Sequence, residues 1–192
     1  MSEIVFLLEE PSAEAMLDGL LPMILPIDVT HRCIVFDGKQ DLEKQMVRRL
    51  RGYRAPDAQF VVLRDQDSGD CKEVKKGLVR KCVEANKPDV LVRIVCREIE
   101  SWYLADLAAV EKGLEETGLA RLQNKQPYRA PDSISSPCRK LRELVPSYQK
   151  IAGSRAIAPH LDCGNARSRS FRNFIEGVRR ICGRHETGRQ SC

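Results

Sequence analysis

The sequence predicts an α/β fold: a parallel sheet of about four strands flanked by helices. Two observations carry that expectation. Short apolar runs of strand length recur at residues 4–8, 33–36, 60–63 and 90–96, and after each the apolar residues repeat at helical spacing. Short apolar strands alternating with amphipathic helices are the pattern of a sheet covered on both faces. Right-handed crossovers would then bring every strand C-terminus to one edge, where open α/β sheets bind ligands.

The elements follow in order. Residues 4–8 run into Glu9-Glu10-Pro11, and Ser12 is the expected N-cap of a helix carrying Ala13, Met16, Leu17, Leu20 and Leu21, ended by Pro22. The second strand closes at Asp37-Gly38. Leu42, Met46, Val47 and Leu50 then mark one face of a helix whose other face is basic (Lys44, Arg48, Arg49, Arg51). The third strand leads into Arg64-Asp65-Gln66-Asp67-Ser68-Gly69-Asp70, and a helix from about Cys71 to Asn86 buries Val74, Leu78 and Cys82. Lys87-Pro88-Asp89 turns into the fourth strand, whose helix holds Glu98, Glu100, Trp102 and Tyr103.

Residues 1–113 thus form the α/β core, and residues 114–192 a basic, loop-rich and helical extension packed on it within a single domain. Residues 123–138 contain three prolines, three serines and no periodic apolar face, which predicts a mobile loop. A short helix is expected near 139–144. Ser168 is placed to cap a last helix with Phe171, Phe174, Ile175 and Val178 inward and Arg172, Arg179 and Arg180 outward.

Composition excludes several classes. Hydrophobic residues make up 42% of the 192 residues and charged residues 31%, the mix of a globular protein. No apolar stretch approaches the roughly 18 residues that span a bilayer. The acidic opening, residues 1–10, lacks the features of a signal peptide, so no membrane association and a cytoplasmic location are expected. The eight cysteines form no C-x-x-C and pair with no closely spaced histidine, which argues against zinc and for reduced thiols. The chain is also divided by charge: residues 1–120 carry 17 basic and 22 acidic side chains, residues 121–192 carry 15 and 5. An acidic half joined to a basic half fits a cation-binding region beside a polyanion-binding surface.

The acids at the strand ends are the main chemical signal. Glu9 follows the first strand, Asp65 and Asp67 the third, Glu98 and Glu100 the fourth. Carboxylates gathered on one edge repel one another unless a cation neutralises them, and hard oxygen ligands suit Mg2+. The competing reading is that each acid caps a following helix. As a calcium loop, the Asp-x-Asp segment would need Gly and Glu where Asp70 and Lys76 stand. A haloacid-dehalogenase-like phosphatase would carry its Asp-x-Asp after the first core strand rather than the third, and is kept as a lesser alternative. Gly38-Lys39 lacks the spacing of a P-loop, no G-x-S-x-G occurs, and His31, His160 and His185 stand apart from any nucleophile at motif spacing.

A strand ending in Glu, followed by a strand ending in Asp-x-Asp on the same edge, resembles the Toprim domain shared by topoisomerases, bacterial primases, small ribonucleases and the overcoming-lysogenization-defect nucleases. Over almost its full length the chain resembles a Toprim-related family of unknown function, DUF4276. The pieces are IVFLLEEPSAEAML, IVFDGKQDL, LRGY, FVVLRDQDSGDC, VRIVCREIESWYLAD, and SYQKIAG followed by AIAPHLD. The resemblance implies that Glu9 is a metal ligand or general base, Asp65 and Asp67 metal ligands, and Glu100 a further ligand or metal-orienting group. It also implies that Lys150 stabilises charge on a transferring phosphate. Where the family usually has Gly after the strand-one Glu, this chain has Glu10 and Pro11.

The expectation is a nuclease dependent on Mg2+ or Mn2+, with the basic 121–192 segment holding a DNA or RNA backbone; Trp102 and Tyr103 could stack on bases, but a tryptophan beside a strand end is more often core. The alternative is a non-catalytic or conditionally active subunit that docks on an ATPase partner through its last helix, since the resemblance implies gene pairs of that kind. A homo-oligomer is compatible with either.

Overall fold

The computed structural model describes residues 2–55 and 57–188. Four strands, β1 (Ser2–Leu8), β2 (Val29–Val35), β3 (Gln59–Asp65) and β4 (Leu91–Val95), form one parallel sheet in the order β2-β1-β3-β4. The helices are α1 (Pro11–Leu20), α2 (Gly38–Gly52), α3 (Cys71–Glu84), α4 (Glu100–Leu104), α5 (Leu107–Gly113), α6 (Pro137–Leu144), α7 (Lys150–Ile157) and α8 (Arg169–Gly188).

The strand order explains which face each helix covers. The chain steps outward from β1 to β2, then crosses back over β1 to β3 and on to β4. With right-handed connections, α1 must lie on one face, and α2 and α3 on the other. The core divides accordingly. Val5, Leu7, Val62 and Ile94 meet Leu42, Met46 and Leu50 of α2 and Leu78 and Cys82 of α3. Ile4, Phe6, Leu8, Val61 and Leu63 meet α1 and the C-terminal helices. Alternate residues of one strand therefore feed two cores, as the period of a strand requires.

The second core joins the C-terminal segment to the sheet. Phe171, Phe174, Ile175 and Val178 of α8 are buried, while Arg172, Arg179 and Arg180 are exposed. Ser168 Oγ accepts the Phe171 N–H at 3.2 Å and so caps α8. Trp102 packs between Phe171 and Phe174, with ring centroids 5.1 and 5.3 Å away.

Several expectations are corrected. Ser12 does not cap α1: Glu10 is the N-cap and Pro11 opens the helix, because the fixed φ of proline suits the first helical position. Ser12 instead donates its hydroxyl to the Glu10 carboxylate. Glu98 lies outside α4, and a separate helix, α5, follows where Asp106 accepts the Ala109 N–H. The segment 123–138 is irregular but anchored. Buried Gln123 accepts the Leu107 N–H at 2.7 Å and donates to the carbonyls of Leu104 and Tyr128, while Tyr128, Pro131 and Ile134 are buried. Of the two readings of Trp102 and Tyr103 the core one holds: they are 1% and 0% exposed, which leaves no face for a base. Their polar ends bond Ser170 and Ser154. Among the described residues no disulfide links the cysteines, and no helix is long and apolar enough to cross a membrane.

Candidate active site

β1 is the strand at which the connections change direction, so the crevice between the C-terminal ends of β1 and β3 is the topological switch point of the sheet. Leu8 is in register with Leu63, which sets Glu9 beside Arg64 and one residue short of Asp65. Asp65 is in register with Val95, so the chain leaving β4 reaches Glu100 five residues later. In the order β1-β3-β4 the predicted Glu9, Asp65 and Glu100 follow adjacent strands, with Asp65 in the middle.

Local backbone geometry sets the rest. Asp67 and Arg97 both adopt left-handed conformations, φ 55° and 61°, and the Asp67 N–H donates to the Arg97 carbonyl at 2.9 Å. This ties the two loops together above the sheet. Gly38 has φ 85°, a conformation that costs glycine little, and its N–H donates to the Glu9 carbonyl at 2.9 Å. The turn swings Lys39 over the crevice, where its Nζ lies 2.8 Å from Asp67 Oδ2.

The carboxylates are crowded and only partly neutralised. Glu9 Oε2 lies 3.6 Å from Arg64 Nε, an ion-pair distance, yet neither atom has a hydrogen-bond partner in its buried setting. Arg64 spends one of its terminal nitrogens, Nη1, on Glu43 Oε1, at 2.9 Å. Burial first, and then the Asp67 charge, push the Glu9 carboxyl up to about 6. Burial and the charges of Glu100, Glu9 and Glu10 push Asp65 well above the carboxylate range. Glu100 is fully buried and is raised by that burial. Its Oε1 accepts the Tyr148 hydroxyl at 3.1 Å and its Oε2 has no partner.

Lys150 enters from the first residue of α7. Its Nζ lies 3.1 and 3.3 Å from the two Glu10 oxygens. Burial works against its charge, but the Glu100 and Glu10 carboxylates outweigh it and hold its pKa above the ordinary lysine value. Glu10 thus has a specific counter-ion. Glu98 belongs elsewhere: its Oε2 accepts the Cys138 N–H at 2.8 Å, at the start of α6. For that residue the capping reading holds, on a more distant helix than expected.

The structure therefore brings Glu9, Asp65, Asp67, Glu100 and Lys150 to one sheet edge. Among the described residues, however, no three acid, histidine or cysteine side chains already enclose a point as a metal cage. The donors fit a hard cation that takes one or two carboxylates and completes its shell with water and phosphate. Two unpartnered buried carboxylate oxygens are the atoms such an ion would satisfy.

The family description "Domain of unknown function (DUF4276)" matches residues 8–179. The chain belongs to this family. Among solved structures, this DUF4276 chain is similar to the "C-terminal region of the Burkholderia pseudomallei OLD protein", with 17% identity and a TM-score of 0.51 over 94% of this chain and 98% of the other. At that identity the likeness shows the fold. A comparison with curated proteins finds no match.

Three participants escaped sequence reasoning. Lys39 was visible only as part of a failed P-loop pattern. Arg64 stood just past the apolar run of the third strand, beside Asp65, without an assigned role. Tyr148 stood two residues before Lys150 in SYQKIAG without an assigned role. Gly153 of the same motif has a packing reason: a Cβ there would overlap Tyr148 Cε2, so its absence makes room for the ring that holds Glu100.

Proposed function

We propose that this DUF4276 chain hydrolyses phosphodiester bonds of nucleic acid at the β1–β3 crevice, using Mg2+ or Mn2+. The observation that carries this reading is the pair of acids flanking Asp65, half-buried Glu9 and buried Glu100, each with a carboxylate oxygen that lacks a hydrogen bond and each raising the pKa of Asp65. The Toprim resemblance and the OLD-protein neighbour support the same reading.

Glu9, Asp65, Asp67 and Glu100 would hold the ion. When bound, it would polarise the phosphate and lower the pKa of a coordinated water. Glu9, where it does not ligate the ion, would accept a proton from an attacking water. Lys150 keeps its charge at the crevice and offsets negative charge growing on the phosphate. Tyr148 fixes the Glu100 carboxylate by one oxygen and leaves the other available. Cleavage of a mixed DNA and RNA panel at low salt with Mn2+, by the wild type and by Asp65→Ala/Asp67→Ala, tests this. The wild type cleaves and the variant does not; undiminished cleavage by the variant would remove the proposal.

A second reading is favoured by the lysines already seated on the acids, Lys39 on Asp67 and Lys150 on Glu10. In it the chain is a conditionally active subunit, and an ATPase partner draws these cations aside. The solved neighbour is itself described as one region of a protein, consistent with a working unit larger than this chain. Gel filtration with a candidate ATPase, beside a metal titration of the isolated chain, separates the readings: a stable complex with no metal binding by the chain alone favours the subunit.

A further inference from the structure

The LRGY motif has no part in the crevice. Leu50 is buried, but Gly52 and Tyr53 line an open groove of about 460 Å3 together with Arg32, Ile34, Arg48 and Arg49. This groove lies along β2, the edge strand of the sheet, against the second half of α2. Its described lining contains three arginines and no acid. All three arginines are exposed.

The groove is also organised. Glu3 holds two of its members: Oε1 lies 3.3 Å from Arg32 Nε, and Oε2 accepts the Tyr53 hydroxyl at 2.7 Å. Arg48 donates to Gln45 Oε1 at 2.8 Å. Gly52 has no packing reason to be glycine, since a Cβ there would meet nothing within 4 Å. At a residue lining the groove, that open space is room for a ligand. α2 carries five basic side chains against two acidic ones, and it begins at the crevice, where Lys39 meets Asp67.

We infer that this β2–α2 groove is a docking surface for the phosphodiester backbone of a nucleic acid whose scissile bond lies at the crevice. The inference rests on the proposed nuclease reading and extends it to a surface outside the basic 121–192 segment. From Lys39 to Arg48 and Arg49 the helix rises about 15 Å. Duplex DNA advances 3.4 Å per step along one strand, so the arginines meet phosphates roughly four steps from the bond at the crevice. Guanidinium groups pair with phosphate oxygens through two parallel N–H donors, which suits this role better than lysine would.

Fluorescence anisotropy of a labelled 24-base-pair DNA duplex and a single-stranded RNA, in EDTA and over a range of salt, tests the groove without catalysis. Arg48→Gln/Arg49→Gln should bind the preferred probe about tenfold more weakly, and its salt slope should fall by about 2, near 0.9 per lost phosphate contact. The same charge change on α3, Lys75→Gln/Lys76→Gln, should leave the slope close to that of the wild type. Equal losses in both variants would show a net-charge effect and overturn the inference. An unchanged slope in the groove variant would overturn it too, and if that variant changed oligomeric state or aggregated instead, the arginines would belong to a protein contact or to protection of the edge strand. Wild-type protein that binds through the groove with metal present but never cleaves would remove the nuclease reading and leave the groove standing.

Discussion

The Tyr148 hydroxyl donates to Glu100 Oε1 across 3.1 Å, and the other oxygen of that carboxylate, Oε2, has no hydrogen bond although both residues are buried. A carboxylate removed from water normally has both oxygens satisfied. Here one oxygen is held by Tyr148 and the other lacks a hydrogen bond, while the Lys150 charge and the Cys138 thiol also act on the carboxylate.

Tyr148→Phe should therefore destabilise the fold by about 1–3 kcal/mol, the cost of leaving a buried acceptor unsatisfied. Gly153→Ala should cost a similar amount by a different route, since the new Cβ would overlap the Tyr148 ring. Both losses can be read from urea denaturation of the full chain. Tyr148→Phe should also weaken Mn2+ binding, because Glu100 loses its orientation.

The pH dependence has a defined sign. Glu9 titrates near 6 in the folded chain against 4.5 ordinarily, so the native state binds more protons than the unfolded state between those values. Without metal, stability should be highest at the acidic end of that window and fall as pH rises through about 6, by roughly 2 kcal/mol from Glu9 alone. Asp65 and Glu100, also raised, act in the same direction. Protons and cations compete for these oxygens. The rise in melting temperature on adding Mg2+ should accordingly be small at pH 5 and larger at pH 8; an equal rise at both would contradict this.

Asp65→Asn removes the acid at the centre of the repulsion. The metal-free variant should melt at a higher temperature than the wild type at pH 8, while its response to Mg2+ disappears. Differential scanning calorimetry with and without Mg2+ reads both effects. A variant stabilised by Mg2+ as strongly as the wild type would place the ion elsewhere.

Lys39→Ala tests the counter-ion over Asp67. The pair is partly exposed, 46% and 33% at its side chains, and such pairs contribute about 1 kcal/mol or less. Stability should hardly change. Mn2+ affinity should rise several-fold, because Asp67 no longer has to exchange an ammonium for the ion. A calorimetric titration showing weaker binding would make Lys39 part of the ion's support instead of its competitor.

How much of this was legible in the sequence follows from the range of the forces involved. The strands and the helices α1 to α3 could be read because each repeats apolar residues at its own period, a local signal. Glu9, Asp65, Asp67 and Glu100 could be placed on one edge because the parallel topology dictates it. What could not be read depends on partners distant in the chain. Lys150 lies 140 residues from Glu10, Tyr148 48 residues from Glu100, and Glu98 reaches the start of α6 across 40 residues. The anchoring of 123–138 by Gln123 was hidden for a related reason: one buried amide replaces the apolar face that periodicity detects.

The most direct test of the central claim is a calorimetric titration of Mn2+ into the full chain at pH 8, run beside Glu9→Gln and Asp65→Asn. Saturable binding by the wild type and its loss in both variants are expected. Wild-type protein that takes up no Mn2+, or variants that bind it as well as the wild type, would contradict it.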